Sequence, residues 1–204
     1  MNLSAAEIAA QQPCTDGRIL RGAKTRTAIV EALLDLFKQG IFAPTTKQIA
    51  EQAQTSVRSI FQHFEDMETL YADLVAVQTT RVTPLVESLC SEGSLDDRVA
   101  ALAAQRSDLF EQVTPARHAL VGRPNNSTAI TQRLLDLAQV LREQLLVQFA
   151  QELAATDVQT SAERLEMLDL LWSFESWDRL RNQQELSVTK AVASLTGATH
   201  LLLP

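Results

Sequence analysis

The stretch TTKQIAEQAQTSVRSIFQHFEDMETL, residues 45–70, contains two short apolar patterns separated by only a few polar residues. Thr45 and Gln48 have the spacing of a capping box, which predicts the start of a helix barely two turns long. Either Thr55 or Ser56 is suited to cap the helix that follows. Helices of about eight residues are unstable alone in water, so both must rest on longer neighbours. Their outer faces then remain free.

A longer helix is predicted on each side of this pair. Apolar residues recur at i, i+3 and i+4 spacing from Ala28 to Phe37, and Gly40 stands where that helix would end. Asp66 is suited to cap the helix that follows, which kinks or ends near Pro84. Two short helices joined by a tight turn are the arrangement that offers the second helix to the DNA major groove. The sequence therefore predicts a helix-turn-helix domain.

The whole chain is predicted to be all-α, with about nine helices. Of its 204 residues 46% are hydrophobic and 21% charged, and glycine and proline occur only six times each. This composition favours long helices over strands joined by tight turns. Beyond residue 90, capping and apolar patterns predict further helices over 95–113, 115–121, 130–153, 161–182 and 188–203. We expect three domains, a flexible basic arm (1–22), a three-helix helix-turn-helix domain (23–65) and a larger effector-binding and dimerisation domain (66–204).

Several classes of protein find no support in the sequence. No signal peptide and no run of about 18 apolar residues is visible, so we expect a cytoplasmic protein without membrane contact. Cys14 and Cys90 lack metal-site spacing, and we expect neither a metal nor a cofactor. No serine-hydrolase elbow, zinc-protease motif or glycine-rich phosphate loop is present, so we expect no catalytic residues.

The net charge of −7 is unevenly distributed. Residues 18–64 contain seven basic and three acidic side chains, a net charge of +4, whereas residues 65–204 have a net charge of −9. Screening limits the reach of exposed charges to about 8 Å at physiological salt. The basic N-terminal part can therefore dock on phosphate although the whole chain is acidic.

The helix-turn-helix region resembles the N-terminal motif of TetR family transcriptional regulators. The residues that carry this resemblance are Phe37, Gly40, Thr45, Thr46, Ile49, Ala50, Ala53, Ser56, Ile60, Phe61, His63, Phe64 and Leu70. The stretch SFESWDRLRNQQELS, residues 173–187, is similar to a weaker pattern near the end of many such regulators. The resemblance implies a DNA-binding head on a larger all-α body that dimerises through its last two long helices and usually binds a small effector.

The residues expected to contact DNA lie in the arm and in the helix-turn-helix. Basic and hydrogen-bonding side chains at these positions suit phosphates or base edges. They are Arg18, Arg21, Lys24, Thr45, Thr46, Lys47, Ser56, Val57, Arg58, Ser59, Phe61, Gln62 and His63. Packing is the alternative role for His63.

Four positions depart from the family pattern. Gln54 replaces the usual turn glycine, and Arg58 replaces a small residue. Phe61 replaces the usual tyrosine and Met67 the usual lysine, which removes two expected phosphate contacts. Arg58 and Lys47 are suited to compensate, on phosphate or on a guanine edge.

The expected partners are a double-stranded DNA operator, a second copy of the chain and a small-molecule effector, with repression as the expected outcome. Candidate effector contacts are Val77, Thr80, His118, Leu141 and Trp172, and an apolar or aromatic compound suits such walls. Packing in the core or at the dimer interface is the alternative role for Trp172, and a surface or hydrogen-bonded structural role is the alternative for His118. The alternative functions are a helical adaptor that binds protein only and a DNA-binding protein without an effector.

Overall fold

The structure, a computed structural model, describes residues 17–87, 89, 92–120 and 128–203. Within these ranges every regular element is a helix, which confirms the all-α prediction. In chain order the α-helices are α1 (Gly17–Lys38), α2 (Thr46–Gln52), α3 (Val57–His63), α4 (Met67–Glu87), α5 (Leu95–Leu120), α6 (Thr128–Gln148), α7 (Ala150–Ala154), α8 (Val158–Leu171), α9 (Phe174–Asp178) and α10 (Val188–Leu202). A π-helical turn, Arg179–Gln183, follows α9 directly. None of these helices combines the length and apolar character needed to cross a bilayer.

The head, which we define as residues 17–74, is built around one apolar core. Helix α2 buries Ile49 and Ala50 on this core, and α3 buries Ile60. Phe64, which directly follows α3, is also buried in this core. The two short helices thus rest on α1 and α4, and the predicted helix-turn-helix is confirmed.

Most of the body, residues 75–203, surrounds a second core. This core joins residues of α4 to α10, among them Val82, Leu102, Phe110, Phe149, Leu168, Trp172, Trp177 and Leu195. The last turn of α5 belongs instead to the head, because Ala116, Ala119 and Leu120 are buried in the head core. Helix α5 therefore passes from one core into the other.

The ends of the two short helices follow the predicted capping chemistry. The Thr45 side chain accepts a hydrogen bond from the Gln48 N–H, and the Gln48 side chain accepts one from the Thr45 N–H, so the capping box is complete. At the start of α3 it is Ser56, rather than Thr55, that accepts from the Ser59 N–H. Between the helices Gln54 has a φ of 51°, the left-handed conformation that favours glycine.

The prediction of two separate helices over 95–113 and 115–121 is wrong. A single helix, α5, spans both, with Pro115 inside it. The Thr114 hydroxyl donates to the Phe110 carbonyl oxygen at 2.6 Å instead of capping a new helix. Proline inside a helix costs about 3 kcal/mol. Burial of Val113, Ala116 and Ala119 on either side of Pro115 favours the continuous helix.

Two predicted helices are interrupted in the structure. The one over 130–153 ends at Gln148, whose carbonyl oxygen accepts a hydrogen bond from Arg98, and resumes as α7. The one over 161–182 begins earlier, with Asp157 as its cap, and breaks at Ser173. Trp172 and Trp177 are both buried, and on one straight helix they would point about 140° apart. The break lets both indoles reach the same core.

Helix α1 begins at Gly17, inside the segment expected to form a flexible arm. It therefore contains Arg18 and Arg21, two of the basic residues assigned to that arm. Residues 1–16 and both cysteines lie outside the described residues. The domain boundaries remain predictions.

We expect the Gln54→Gly substitution to raise the free energy of unfolding by up to about 1 kcal/mol, because a left-handed conformation costs a residue with a Cβ more than it costs glycine. The matched control is Gln52→Gly in α2, where the helical conformation makes glycine unfavourable by about 0.5–1 kcal/mol. Urea unfolding followed by circular dichroism measures both. Equal losses in the two variants would contradict the argument.

Candidate DNA-binding interface and body cavity

The outer surface of the helix-turn-helix carries the side chains predicted to contact DNA. Nine of them are exposed: Arg21, Lys24, Thr45, Lys47, Ser56, Val57, Arg58, Phe61 and Gln62. Thr46, Ser59 and His63 are half-buried, and the side chain of Arg18 lies outside the described residues. Because α2 and α3 bury Ile49, Ala50 and Ile60 on the head core, their other faces are left open to solvent.

Part of the hydrogen-bonding capacity on this surface is used within the protein. The hydroxyls of Thr45 and Ser56 accept the N–H groups of Gln48 and Ser59 at 3.2 and 3.0 Å. Lys47 lies 3.8 Å from the carboxylate of Glu51, and both side chains are well exposed. An exposed pair of this kind contributes little to stability. Lys47 therefore remains available to a phosphate.

Helix α3 also presents apolar side chains to solvent. Phe61 is 55% exposed and Val57 is 39% exposed. Hydrophobic side chains on the open face of a short helix gain nothing from the protein core. They are suited to apolar contact with a thymine methyl group in the major groove.

His63 ends α3, where its backbone carbonyl oxygen accepts a hydrogen bond from Nη1 of Arg26 at 2.5 Å. Its half-buried ring lies beside Gly22 of α1. Sequence reasoning did not single out Arg26. Its position three, four and seven residues before the buried Ile29, Val30 and Leu33 places it on the packed face of α1, which was an available signal.

The body contains a cavity of about 680 Å³, within the size range of small-molecule sites. Its walls come from α4, α5, α6, α8 and α9 and are mainly apolar. The apolar lining residues include Val75, Val82, Phe110, Val113, Leu134, Leu137, Ala138, Leu141, Trp172 and Phe174. The polar ones are Gln78, Thr79, Arg117, Thr131, Glu166, Asp169, Ser173 and Glu175.

Two of the five predicted effector contacts, Leu141 and Trp172, line this cavity. On α4 the neighbours Gln78 and Thr79 line it instead of Val77 and Thr80. Val77 packs against the head core, and Thr80 is exposed. The face that meets the cavity is set by the rotation of α4, which a single sequence does not fix.

His118 also lies away from the lining, although its neighbour Arg117 contributes to it. The His118 Nε2 atom is 2.5 Å from a carboxylate oxygen of Asp178. The His118 ring meets that of Phe42 edge-on, with centroids 5.7 Å apart. Phe42 lies in the connection between α1 and α2, so His118 joins the head to the body.

The charged groups around the cavity are paired with one another. Arg117 binds Glu175 at 2.7 Å, and its guanidinium carbon lies 4.4 Å from the centroid of the Phe174 ring. Arg142 binds Glu166 at 2.5 Å and Asp169 at 2.9 Å, which raises the pKa of Arg142. The polar rim is therefore close to neutral, and the apolar walls dominate what the cavity favours.

Arg106 stands behind this wall and is fully buried. It donates to the Leu141 carbonyl oxygen and to the side chains of Gln144 and Gln105, each at 2.8 Å. Burial lowers its pKa to about 10, so it stays protonated at neutral pH. Its role is to join α5 to α6, and the cavity lining does not include it.

The sequence of the head is similar to that of a known protein family. Residues 29–74 match the family model described as bacterial regulatory proteins, tetR family. The matched segment runs from Ile29 in α1 to Leu74 in α4 and includes the whole helix-turn-helix. Residues 29–74 therefore form a DNA-binding helix-turn-helix domain of the TetR family of bacterial transcriptional regulators.

Two solved structures share the fold over most of the chain. A transcriptional regulator from Rhodococcus sp. Rha1 is 14% identical, with a TM-score of 0.68, 87% of this chain covered and 95% of the other. NalD of Pseudomonas aeruginosa, the secondary repressor of the MexAB-OprM multidrug efflux pump, is 20% identical, with a TM-score of 0.61. The alignment covers 90% of this chain and 97% of NalD. Comparison with curated proteins gave no match.

We expect a large side chain that fills the cavity from α6 to prevent small compounds from binding there. Ala138 lines it, and Val140, two residues on, is 43% exposed and lies outside the lining. Small aromatic compounds that raise the melting temperature of the wild-type protein in a thermal-shift screen should lose that effect on the Ala138→Phe variant, because the new ring occupies their space. They should keep it on Val140→Phe. If the compounds lose their effect on the melting temperature of both variants, or of neither, they do not bind selectively in this cavity.

Proposed function

We propose that this regulator is a repressor that binds a roughly palindromic operator as a homodimer and is released by an apolar or aromatic effector held in the body cavity. The observation that carries this proposal is that α5 contributes to both the cavity wall and the head core. Ala116 and Leu120 line the cavity and also belong to the head core. An occupant of the cavity therefore touches the same side chains that position the head.

DNA reading is assigned to α3, supported by α2 and the start of α1. Arg58, Gln62 and Ser59 supply hydrogen bonds to base edges, and Val57 and Phe61 supply apolar contact. Arg21, Lys24 and Lys47 supply phosphate contacts, which add affinity without sequence preference. Arg18, Thr45, Thr46, Ser56 and His63 complete the proposed backbone contacts.

The second copy is proposed to cover α8 and α10. These two helices present large apolar side chains that the chain itself leaves open to solvent. Val158 is 88% exposed, Leu201 86%, Leu170 70% and Met167 53%. A twofold axis beside them would pack four helices together and present two α3 helices to successive turns of the major groove.

Release requires the effector to discriminate between two states. A ligand that binds the DNA-competent and DNA-incompetent arrangements equally shifts nothing. A ligand that displaces Ala116 and Leu120 favours the arrangement in which the head core is repacked. The same movement shifts Phe42 through His118 and so reaches the connection before α2.

The two alternative functions, a protein-binding adaptor and a DNA-binding protein without an effector, predict different experimental results. An adaptor that binds protein only would give no gel shift with random-sequence DNA at low salt, and it leaves the basic head unexplained. A DNA-binding protein without an effector would bind DNA equally with and without compounds that stabilise the wild-type body. A compound that raises stability yet leaves DNA affinity unchanged would keep the cavity site and reject the switch.

The DNA assignment predicts different effects for two cationic side chains. Arg58→Ala should relax the preference at particular base pairs, because a base contact carries sequence information. Lys24→Ala should weaken binding to all sequences alike and lower the slope of log affinity against log salt by about 1. Selection from a random duplex pool, followed by titration at several salt concentrations, measures both. Uniform weakening in both variants would make Arg58 a phosphate contact.

The dimer assignment predicts that charge on α8 or α10 dissociates the protein. Met167→Asp and Leu201→Asp place a carboxylate in the proposed interface and should yield the mass of one chain by light scattering at micromolar concentration. Val147→Asp on α6 is the matched control, because Val147 is 66% exposed and lies on neither helix. A wild-type protein of single-chain mass would reject the dimer outright.

A further inference from the structure

Arg26 of α1 makes three contacts with other residues of the head. Its Nε donates to a carboxylate oxygen of Asp73 on α4 at 2.5 Å. Its Nη1 donates to the carbonyl oxygen of His63, the last residue of α3, at 2.5 Å. Its guanidinium carbon lies 4.3 Å from the centroid of the buried Phe64 ring. One side chain thus joins α1, the end of α3 and α4.

The contact with His63 acts at the point where α3 stops. Phe64 has an extended backbone, with φ −133° and ψ 125°, so the chain turns away from the helix there. The final carbonyl groups of a helix lack partners within it and form the negative end of its dipole. A guanidinium is well matched to that end, and its planar fork holds direction as well as charge.

The contact with Asp73 connects this helix end to the body. Asp73 lies on α4, which continues into the cavity wall through Val75, Gln78 and Thr79. The Arg26 and Asp73 side chains are 39% and 32% exposed. Partly exposed pairs add little to overall stability, so stability alone does not account for the arrangement.

We propose that Arg26 is a positioning residue for DNA recognition, which fixes the direction of α3 relative to α4 without touching DNA. The inference rests on the proposed role of α3 as the helix that reads base edges. Base contacts depend on distance and direction, whereas phosphate contacts tolerate small movements. Loss of the Arg26 contacts therefore reduces sequence preference more than general DNA affinity.

The Asp73→Asn substitution tests this proposal, because electrostatics and loss of positioning change DNA affinity in opposite directions. Removal of a negative charge beside a DNA-binding surface, by electrostatics alone, strengthens binding to a polyanion. Loss of positioning weakens it. We expect Asp73→Asn to lower affinity about tenfold for the duplex that the wild-type protein selects from a random pool, and less than threefold for a random-sequence duplex of equal length. Asp35→Asn, another acid of the head, is the control and should not lower affinity.

Arg26→Gln separates positioning from direct contact. We expect the same tenfold loss on the selected duplex, with an unchanged slope of log affinity against log salt, because no phosphate contact disappears. The double variant Arg26→Gln/Asp73→Asn should lose no more than either single variant. Arg26→Lys should not restore binding, since an ammonium group cannot bind Asp73 and the His63 carbonyl with the geometry of a guanidinium.

Three outcomes would overturn the inference. The first is an unchanged or higher affinity of Asp73→Asn for the selected duplex. The second is a slope of log affinity against log salt that is lowered by about 1 in Arg26→Gln. The third is a loss of affinity in the double variant equal to the sum of the losses in the single variants. Thermal unfolding is measured on every variant, and if Arg26→Gln unfolds, the isosteric Asp73→Asn decides alone. If Arg58→Ala leaves sequence preference intact while Asp73→Asn lowers it, the assignment of the reading residues fails and the positioning role of Arg26 stands.

Discussion

Burial of the last turn of α5 in the head core is the constraint on which the arrangement of the whole chain depends. The head has only two short helices on top of α1 and α4, and neither is stable without tertiary support. Ala116, Ala119 and Leu120 complete its core, and the two small alanine side chains allow close approach of the helices. The same turn forms part of the cavity wall. The head core and the cavity wall therefore share residues of α5.

Residues 174–183 hold α5 from the opposite side. Glu111 accepts from the indole of Trp177 and from Arg181, and Arg181 lowers the pKa of Glu111. Farther along α5, Arg117 binds Glu175 and His118 binds Asp178. These contacts follow one helix over two turns, and the π-helical turn brings Arg181 into line with the others. These residues thus fix the helix that joins the two cores.

Local patterns predicted the head well, whereas tertiary contacts decided much of the body. A capping box acts within four residues, so the start of α2 at Thr45 was identified from spacing alone. The continuity of α5 through Pro115 and the break at Ser173 depend on burial from distant elements, which one sequence does not reveal. For the same reason only Leu141 and Trp172 of the predicted effector contacts line the cavity, and α4 turns Gln78 and Thr79 toward it instead of Val77 and Thr80, because helix rotation is a property of the packed structure. The effector contacts themselves stay predictions.

Not all of the basic side chains of the head are available to bind DNA. Arg26 is bound to Asp73, and Lys38 lies beside Asp35. Within the described part of the chain, Arg21, Lys24 and Arg58 form no ion pair. Because a cation already paired inside the protein releases fewer counterions from DNA, the phosphate-directed part of binding must come from few side chains. A larger share of DNA recognition then depends on contacts that need a fixed direction of α3, including those of the exposed Phe61. The orientation of α3 matters most for these contacts.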